Sequence, residues 1–107
     1  MADGKHLEQQ FHDCMPLFIA LGDEVRLGII ETLTHAERGG ADQGLNVNEI
    51  TQQTSLSRPA VSHHLKILRD SGLVEVRRCG TSNFYRLTLK DSTRRLMDLG
   101  RMVEEEF

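Results

Sequence analysis

The most constraining feature of this chain is a pair of helical patterns separated by only two residues. Asn48 can cap a first helix that ends near Thr54, and Ser57 can cap a second, longer helix from Arg58 to Asp70. The Ser-Leu pair between them allows a tight turn. Two helices joined by a turn of this length form a helix-turn-helix.

The second of these helices has two chemically different sides. Val61, Leu65 and Leu68 recur at positions i, i+4 and i+7, which places them on one narrow apolar stripe. The other side carries polar and mostly basic residues: Arg58, Ser62, Lys66 and Arg69. One side is therefore expected to pack, while the other presents basic groups.

A β-hairpin is predicted directly after this helix. Ser71-Gly72 supplies a C-terminal stop, and the stretches LVEVRR and NFYRLTL then alternate in polarity around the four residues 79–82. Tyr85, Leu87 and Leu89 share one face, so the hairpin is expected to pack on one side only.

The rest of the chain reads mainly as helix. The expected elements are a first helix from Leu7, broken near Asp13 to Met15 by Pro16; a short helix ended by Gly22; a helix from Glu24 to His35 capped by Asp23; a loop from Glu37 to Gly44; a strand at Leu45 to Val47; and a last helix, capped by Asp91 or Ser92, that runs to about Glu106. The predicted fold class is mainly α with a small β-hairpin (α+β), with five or six helices in a single domain over residues 1–107.

Length and composition agree with one small domain. With 107 residues, 38% of them hydrophobic, the chain supports only a thin core, which favours pairing with a second copy. No apolar run reaches the roughly 20 residues that cross a bilayer, and the start MADGKHLEQQ lacks the basic and apolar parts of a signal peptide. The sequence therefore predicts a cytoplasmic protein that does not associate with membranes.

The basic charge of the chain is concentrated in one segment. The net charge is -3, yet residues 56–90 hold 7 basic and 2 acidic side chains, whereas residues 1–55 hold 3 and 9 and residues 91–107 hold 3 and 5. A local basic block on an acidic protein can face a polyanion, although the same block can also be a solvated surface.

The basic residues stand where they can reach double-stranded DNA. A helix fits the major groove, and arginines on a hairpin beside it can hold the phosphate backbone. The predicted groove contacts are Arg58, Ser62, His63 and Lys66, and the predicted hairpin contacts are Arg77, Arg78 and Thr81. For each charged residue the competing interpretation is a solvated surface charge. Because His64 lies nearer the apolar stripe, we interpret it as a hydrogen-bonded structural residue.

Two segments, LGDEVRLGIIETL and NVNEITQQTSLSRPAVSHHLKILRDSGLVEVRRCGTSNFYRL, resemble the ArsR/SmtB family of bacterial winged-helix repressors. The resemblance spans about residues 17–90 and implies a homodimer held by the first and last helices, with two recognition helices reading an inverted repeat. It implies DNA contacts by Arg58, Ser62 and His63 in the groove and by Arg77 and Arg78 in the predicted hairpin, which is the wing of this fold. Pro59 departs from the small polar residue often found at its position.

The metal sites for which this family is known lack their ligands here. Asn46-Val47-Asn48 stands where one site has a Cys-x-Cys pair, and no histidine follows His64 to supply the site on the last helix. His6, His12 and Cys14 near the N-terminus are weak candidates for a non-standard metal site. No cofactor is therefore predicted.

A DNA-binding repressor is the favoured function, and two alternatives stay open. One is a winged-helix module that docks an acidic protein instead of DNA. The other is a repressor that responds to metal or thiol chemistry, which for a thiol sensor requires Cys14 and Cys79 to approach each other. An enzyme is not predicted, because Ser62, His63 and Cys14 lack a paired acid, an oxyanion loop or a phosphate-binding glycine run.

Overall fold

The structure, a computed structural model, describes residues 4–107. Its elements in chain order are α1 (Gly4–Asp13), α2 (Met15–Leu21), α3 (Glu24–Arg38), β1 (Leu45–Asn46), α4 (Val47–Gln52), α5 (Arg58–Asp70), β2 (Val74–Cys79), β3 (Ser82–Leu87) and α6 (Leu89–Glu106). The described residues thus form six helices and one three-stranded sheet, which confirms the predicted mainly helical fold with a small hairpin.

The N-terminal helices begin and end at residues that the sequence singles out. Pro16 lies in the first turn of α2, where its missing N–H removes no helical hydrogen bond, and Gly22 follows the last residue of that helix. Asp23 caps α3, because its Oδ1 accepts hydrogen bonds from the backbone N–H groups of Val25 at 2.9 Å and Arg26 at 3.1 Å. These three predictions are confirmed.

The Asp23 carboxylate is expected to make the free energy of unfolding depend on pH. Its pKa lies below the ordinary value, chiefly because it accepts the backbone N–H of Arg26, and this outweighs the desolvation that raises it. A lowered folded-state pKa means that the stabilisation is fully present above the unfolded-state pKa of about 3.9 and is lost as pH falls through the folded value. Asp23→Asn is therefore expected to melt below the wild type at pH 7, and the difference to vanish near pH 2, in thermal unfolding followed by circular dichroism. A difference that grows toward low pH would contradict this expectation.

The end of α3 differs from the prediction. The helix continues to Arg38, beyond the predicted end at His35, so the first two residues of the expected loop are helical. The carboxylate of Glu37 accepts the backbone N–H of Leu87 at 2.9 Å. This contact with β3 holds the last turn of α3, and it joins residues far apart in sequence.

The start of α4 is also corrected. Asn46, not Asn48, caps the helix: its side chain accepts the N–H of Glu49 at 2.8 Å, and the Glu49 carboxylate accepts the N–H of Asn46 at 2.9 Å. This reciprocal capping box satisfies two backbone donors at once. It shortens β1 to two residues and begins α4 earlier, and the helix ends at Gln52 rather than near Thr54.

The sheet is antiparallel with β3 at its centre, in the order β1-β3-β2. Pairing between β2 and β3 continues to Cys79 and Ser82, so the connection is the two-residue turn Gly80-Thr81 and not the predicted four residues. Gly80 has φ +64°, the left-handed conformation that a tight hairpin turn requires.

The last helix begins earlier than predicted. α6 starts at Leu89, which removes that residue from the hairpin face, and neither Asp91 nor Ser92 is its cap. Thr88 takes the N-cap position without a side-chain capping bond, and its backbone N–H donates to the carbonyl of Leu73 at 3.0 Å. The start of α6 is therefore set by contact with the turn after α5.

Two apolar clusters hold the molecule together. The larger joins α2, α3, α4, α5 and the start of β2: Leu17, Ala20, Ile29, Leu33, Ile50, Val61, Leu65, Leu68, Leu73 and Val74. The smaller joins α1 to α6 through Leu7, Cys14 and Leu99. None of the helices in residues 4–107 combines the length and apolar character that a membrane span requires.

Candidate nucleic-acid interface

The helix α5 presents its predicted contact residues to solvent. Ser57 caps it by accepting the N–H of Ala60 at 3.4 Å, and Pro59 lies in its first turn. The apolar stripe of Val61, Leu65 and Leu68 is completely buried, which anchors the helix through one side only. All four predicted groove residues are exposed on the rest of its surface: Arg58, Ser62, His63 and Lys66.

The two adjacent histidines of α5 have different surroundings. The Nδ1 atom of His64 lies 3.1 Å from Nη1 of Arg26, so this histidine is hydrogen-bonded inside the fold, as the sequence indicates. His63 is exposed, and its ring centroid lies 6.0 Å from that of His64. A contact between His63 and DNA stays a prediction.

The β2–β3 hairpin, called the wing below, follows α5 in the chain and carries further basic groups. Arg77 and Arg78 lie on β2 and Thr81 lies in the turn, and all three are exposed. A cross-strand ion pair between Arg86 Nε and Glu75 Oε1, 3.3 Å apart, links the two strands nearer their base. The wing therefore combines a base held by strand pairing with a polar tip.

The three arginines predicted to contact DNA carry charge that no salt bridge compensates. Among the salt bridges of residues 4–107, none involves Arg58, Arg77 or Arg78. Lys66 differs, because its Nζ donates to Oδ2 of Asp70 at 2.9 Å, and this hydrogen bond lowers the pKa of the Asp70 carboxyl. The three arginines are free to pair with phosphate, whereas Lys66 must release the Asp70 carboxylate before it can pair with phosphate.

A small cleft lies where the starts of α4 and α5 meet the wing turn, with a volume of about 130 Å³. Its lining includes Asn48, Arg58, Thr81 and Asn83. Amide and hydroxyl groups donate hydrogen bonds and the guanidinium adds charge, which suits phosphate oxygens. Neither Asn48 nor Asn83 is predicted at this surface from the sequence, because Asn48 resembles a helix cap and only the fold brings α4 to the wing.

Within one chain, the metal and thiol candidates of residues 4–107 do not assemble into a site. Cys14 is 1% exposed, and its Sγ lies 3.9 Å from the carbonyl oxygen of Arg95. Burial raises the pKa of the Cys14 thiol, which disfavours the thiolate that binds metals or is oxidised. His6 and His12 are exposed on α1, and the described residues hold no group of three His, Cys, Asp or Glu side chains arranged for a metal ion. Cys79, on the wing, is a free and exposed thiol.

Comparison with known proteins identifies the family. The profile of bacterial regulatory proteins of the arsR family matches residues 23–76, which include α3, α4, α5 and the start of the wing. The chain belongs to the arsR family. It is 36% identical over 77 residues to an uncharacterised HTH-type transcriptional regulator of Methanocaldococcus jannaschii, a match that covers 72% of this chain and 80% of that protein.

Two further relatives place this arsR-family chain among DNA-binding regulators. The biofilm growth-associated repressor of Xylella fastidiosa is 35% identical over 82 residues, covering 77% of this chain and 66% of the repressor. The homodimeric winged helix-turn-helix DNA-binding domain of a possible ArsR-family regulator from Mycobacterium bovis is 31% identical, covers 99% of this chain and 89% of that domain, and superposes with a TM-score of 0.62. The chain is thus a winged-helix transcriptional regulator and not an enzyme.

Proposed function

We propose that this regulator is a homodimeric repressor that binds an inverted-repeat operator in double-stranded DNA, in the cytoplasm where prokaryotic DNA lies. The exposed basic side of α5 beside the arginines of the wing carries this proposal. In this arrangement α5 enters the major groove, where Ser62 and His63 meet base edges. Arg77 and Arg78 of the wing hold phosphates, which sets the register of the protein on the duplex.

An apolar surface on α1, α2 and α6 supports the homodimer. The exposed large apolar side chains on these helices are Phe11, Met15, Phe18, Ile19 and Met97, and Phe107 directly follows α6. A small domain that exposes several such groups gains stability when a second copy covers them. In addition, Lys90 and Glu104 lie two heptads apart with Met97 midway, on one side of α6. Antiparallel pairing of α6 with its copy then places Lys90 opposite Glu104 of the partner subunit.

The substitution Met97→Glu is expected to dissociate this dimer. Met97 is 61% exposed in the single chain, so a glutamate there is tolerated by the monomer, but twofold symmetry about the middle of α6 brings two carboxylates together. The dimer dissociation constant in sedimentation equilibrium is expected to rise at least about 30-fold, as for an interface hot spot. Met97→Leu is the matched control and keeps the dimer. Equal dissociation constants for the two variants would show that α6 does not form the interface.

DNase footprinting on the region upstream of the protein's own gene tests the proposed function. A dimer with two recognition helices is expected to protect two half-sites whose centres lie about one helical turn apart, or a multiple of it, on an inverted repeat. No cofactor takes part in these contacts, so a chelator is expected to leave the protection unchanged. Absence of protection on any upstream duplex, together with retention of an acidic protein, would favour the protein-interaction module instead.

A further inference from the structure

Arg26 is a buried charged residue whose side chain binds the last turn of α2. It is 8% exposed, its Nε donates to the carbonyl of Ala20 at 2.9 Å, and its Nη2 donates to the carbonyl of Ile19 at 3.0 Å. Both carbonyls belong to the last turn of α2, where a helix has no N–H groups of its own to offer. Arg26 of α3 therefore caps the C-terminus of α2.

The same guanidinium also reaches the recognition helix. Its Nη1 lies 3.1 Å from Nδ1 of His64, and because arginine has only donors, Nδ1 must accept while the ring proton stays on Nε2. Asp23 Oδ2 lies 3.8 Å from the same Nη1, on the side of the N-cap of α3. One side chain thus joins α2, α3 and α5.

This link adds a directional restraint to the packing of α5. Burial of Val61, Leu65 and Leu68 already determines which side of α5 faces the core, and the bond to His64 acts in addition to that packing. A hydrogen bond is directional, so the bond to His64 restricts rotation of α5 about its own axis. His63, the neighbouring residue, is exposed toward the proposed groove, and any rotation of α5 displaces it.

Building on the proposed DNA binding, we propose that Arg26 is a positioning residue for operator recognition, which acts through His64 to restrain the rotation of α5. Arg26 itself touches no DNA. It fixes the direction in which Ser62 and His63 point by tying their helix to the end of α2. Loss of the link therefore lowers affinity for the operator more than affinity for unrelated DNA, whose phosphate contacts tolerate small rotations.

A pair of His64 variants separates this role from packing. His64→Asn places an oxygen near the position of Nδ1 and keeps an acceptor, whereas His64→Phe keeps a ring and removes it. The asparagine variant is expected to bind the operator within about threefold of the wild type, and the phenylalanine variant at least about tenfold more weakly, the effect of one charge-assisted hydrogen bond. Affinity for a scrambled duplex is expected to change less than about threefold in both. Fluorescence anisotropy is read at a temperature where circular dichroism shows every variant folded.

A double-mutant cycle completes the test, with Arg26→Lys as the partner substitution because lysine keeps the charge but cannot reach three acceptors. If the two residues act through one bond, His64→Phe weakens operator binding less in the Arg26→Lys background than in the wild type. Losses that multiply in the double variant, or equal operator affinity of the two His64 variants, would overturn the positioning role alone. A wild-type protein that binds no duplex would overturn the proposed function and this role with it.

Discussion

Reversal of the basic charge on α5, by Arg58→Glu combined with Lys66→Glu, is expected to lower affinity for the operator at least about 100-fold. Both residues are exposed and belong to neither apolar cluster. The substitution replaces two attractions to DNA with two repulsions per subunit, while it leaves the buried stripe of α5 intact. Binding is measured by fluorescence anisotropy, and folding is checked by circular dichroism and thermal unfolding.

The matched control for this prediction keeps the charge and changes only the geometry. Arg58→Lys combined with Lys66→Arg is expected to retain salt-dependent binding within about tenfold of the wild type, because phosphate accepts from either cation. A charge-reversed protein that is folded and binds the operator like the wild type would contradict the placement of α5 in the groove.

The substitution Gly44→Ala is expected to lower the free energy of unfolding by about 3 kcal/mol or more. Gly44 has φ +83°, and a Cβ built on it lies 1.9 Å from the carbonyl oxygen of Tyr85. Because that oxygen belongs to the backbone of the central strand β3, no side-chain rotation relieves the overlap. The strand β1 must separate from β3, which removes the support of the wing.

Alanine substitutions at two other glycines separate the backbone strain at Gly44 from the overlap with Tyr85. Gly40→Ala has the same left-handed strain at φ +98° but meets no atom within 4 Å, so a loss of about 1–2 kcal/mol is expected. Gly28→Ala lies within α3 and also meets nothing within 4 Å, so a gain of about 0.5–1 kcal/mol is expected. Urea unfolding measures all three variants. Equal losses for Gly44→Ala and Gly40→Ala would show that the contact with β3 is unimportant.

Features that depend on neighbouring residues could be predicted from the sequence. The break at Pro16, the cap at Asp23 and the cap at Ser57 each act within about one helical turn of their own position. The stripe of α5 likewise determines which residues face outward, so the exposure of Arg58, Ser62, His63 and Lys66 follows from its period. Alternation does not explain the wing in the same way, because the adjacent residues Arg77 and Arg78 are both exposed.

Features that depend on distant contacts could not be predicted in the same way. The carboxylate of Glu37 and the N–H of Leu87 are 50 positions apart, and Arg26 and His64 are 38 positions apart. Nothing in the local pattern marks such pairs, although the buried arginine itself is a signal once burial is known. The cleft residue Asn83 belongs to the same class, because only the folded wing carries it to α4 and α5.

Sequence-specific DNA recognition by α5 and the wing is tested by the salt dependence of binding to the footprinted operator and to a scrambled duplex of equal length. The three predicted contact arginines of each subunit give up to six phosphate contacts in a dimer, so the logarithm of the association constant is expected to fall with the logarithm of salt concentration with a slope of about -3 to -5. At physiological salt the operator is expected to bind at least about 1,000-fold more tightly than the scrambled duplex. A slope near zero, or equal affinity for the two duplexes, would contradict the assignment of α5 and the wing to sequence-specific DNA recognition.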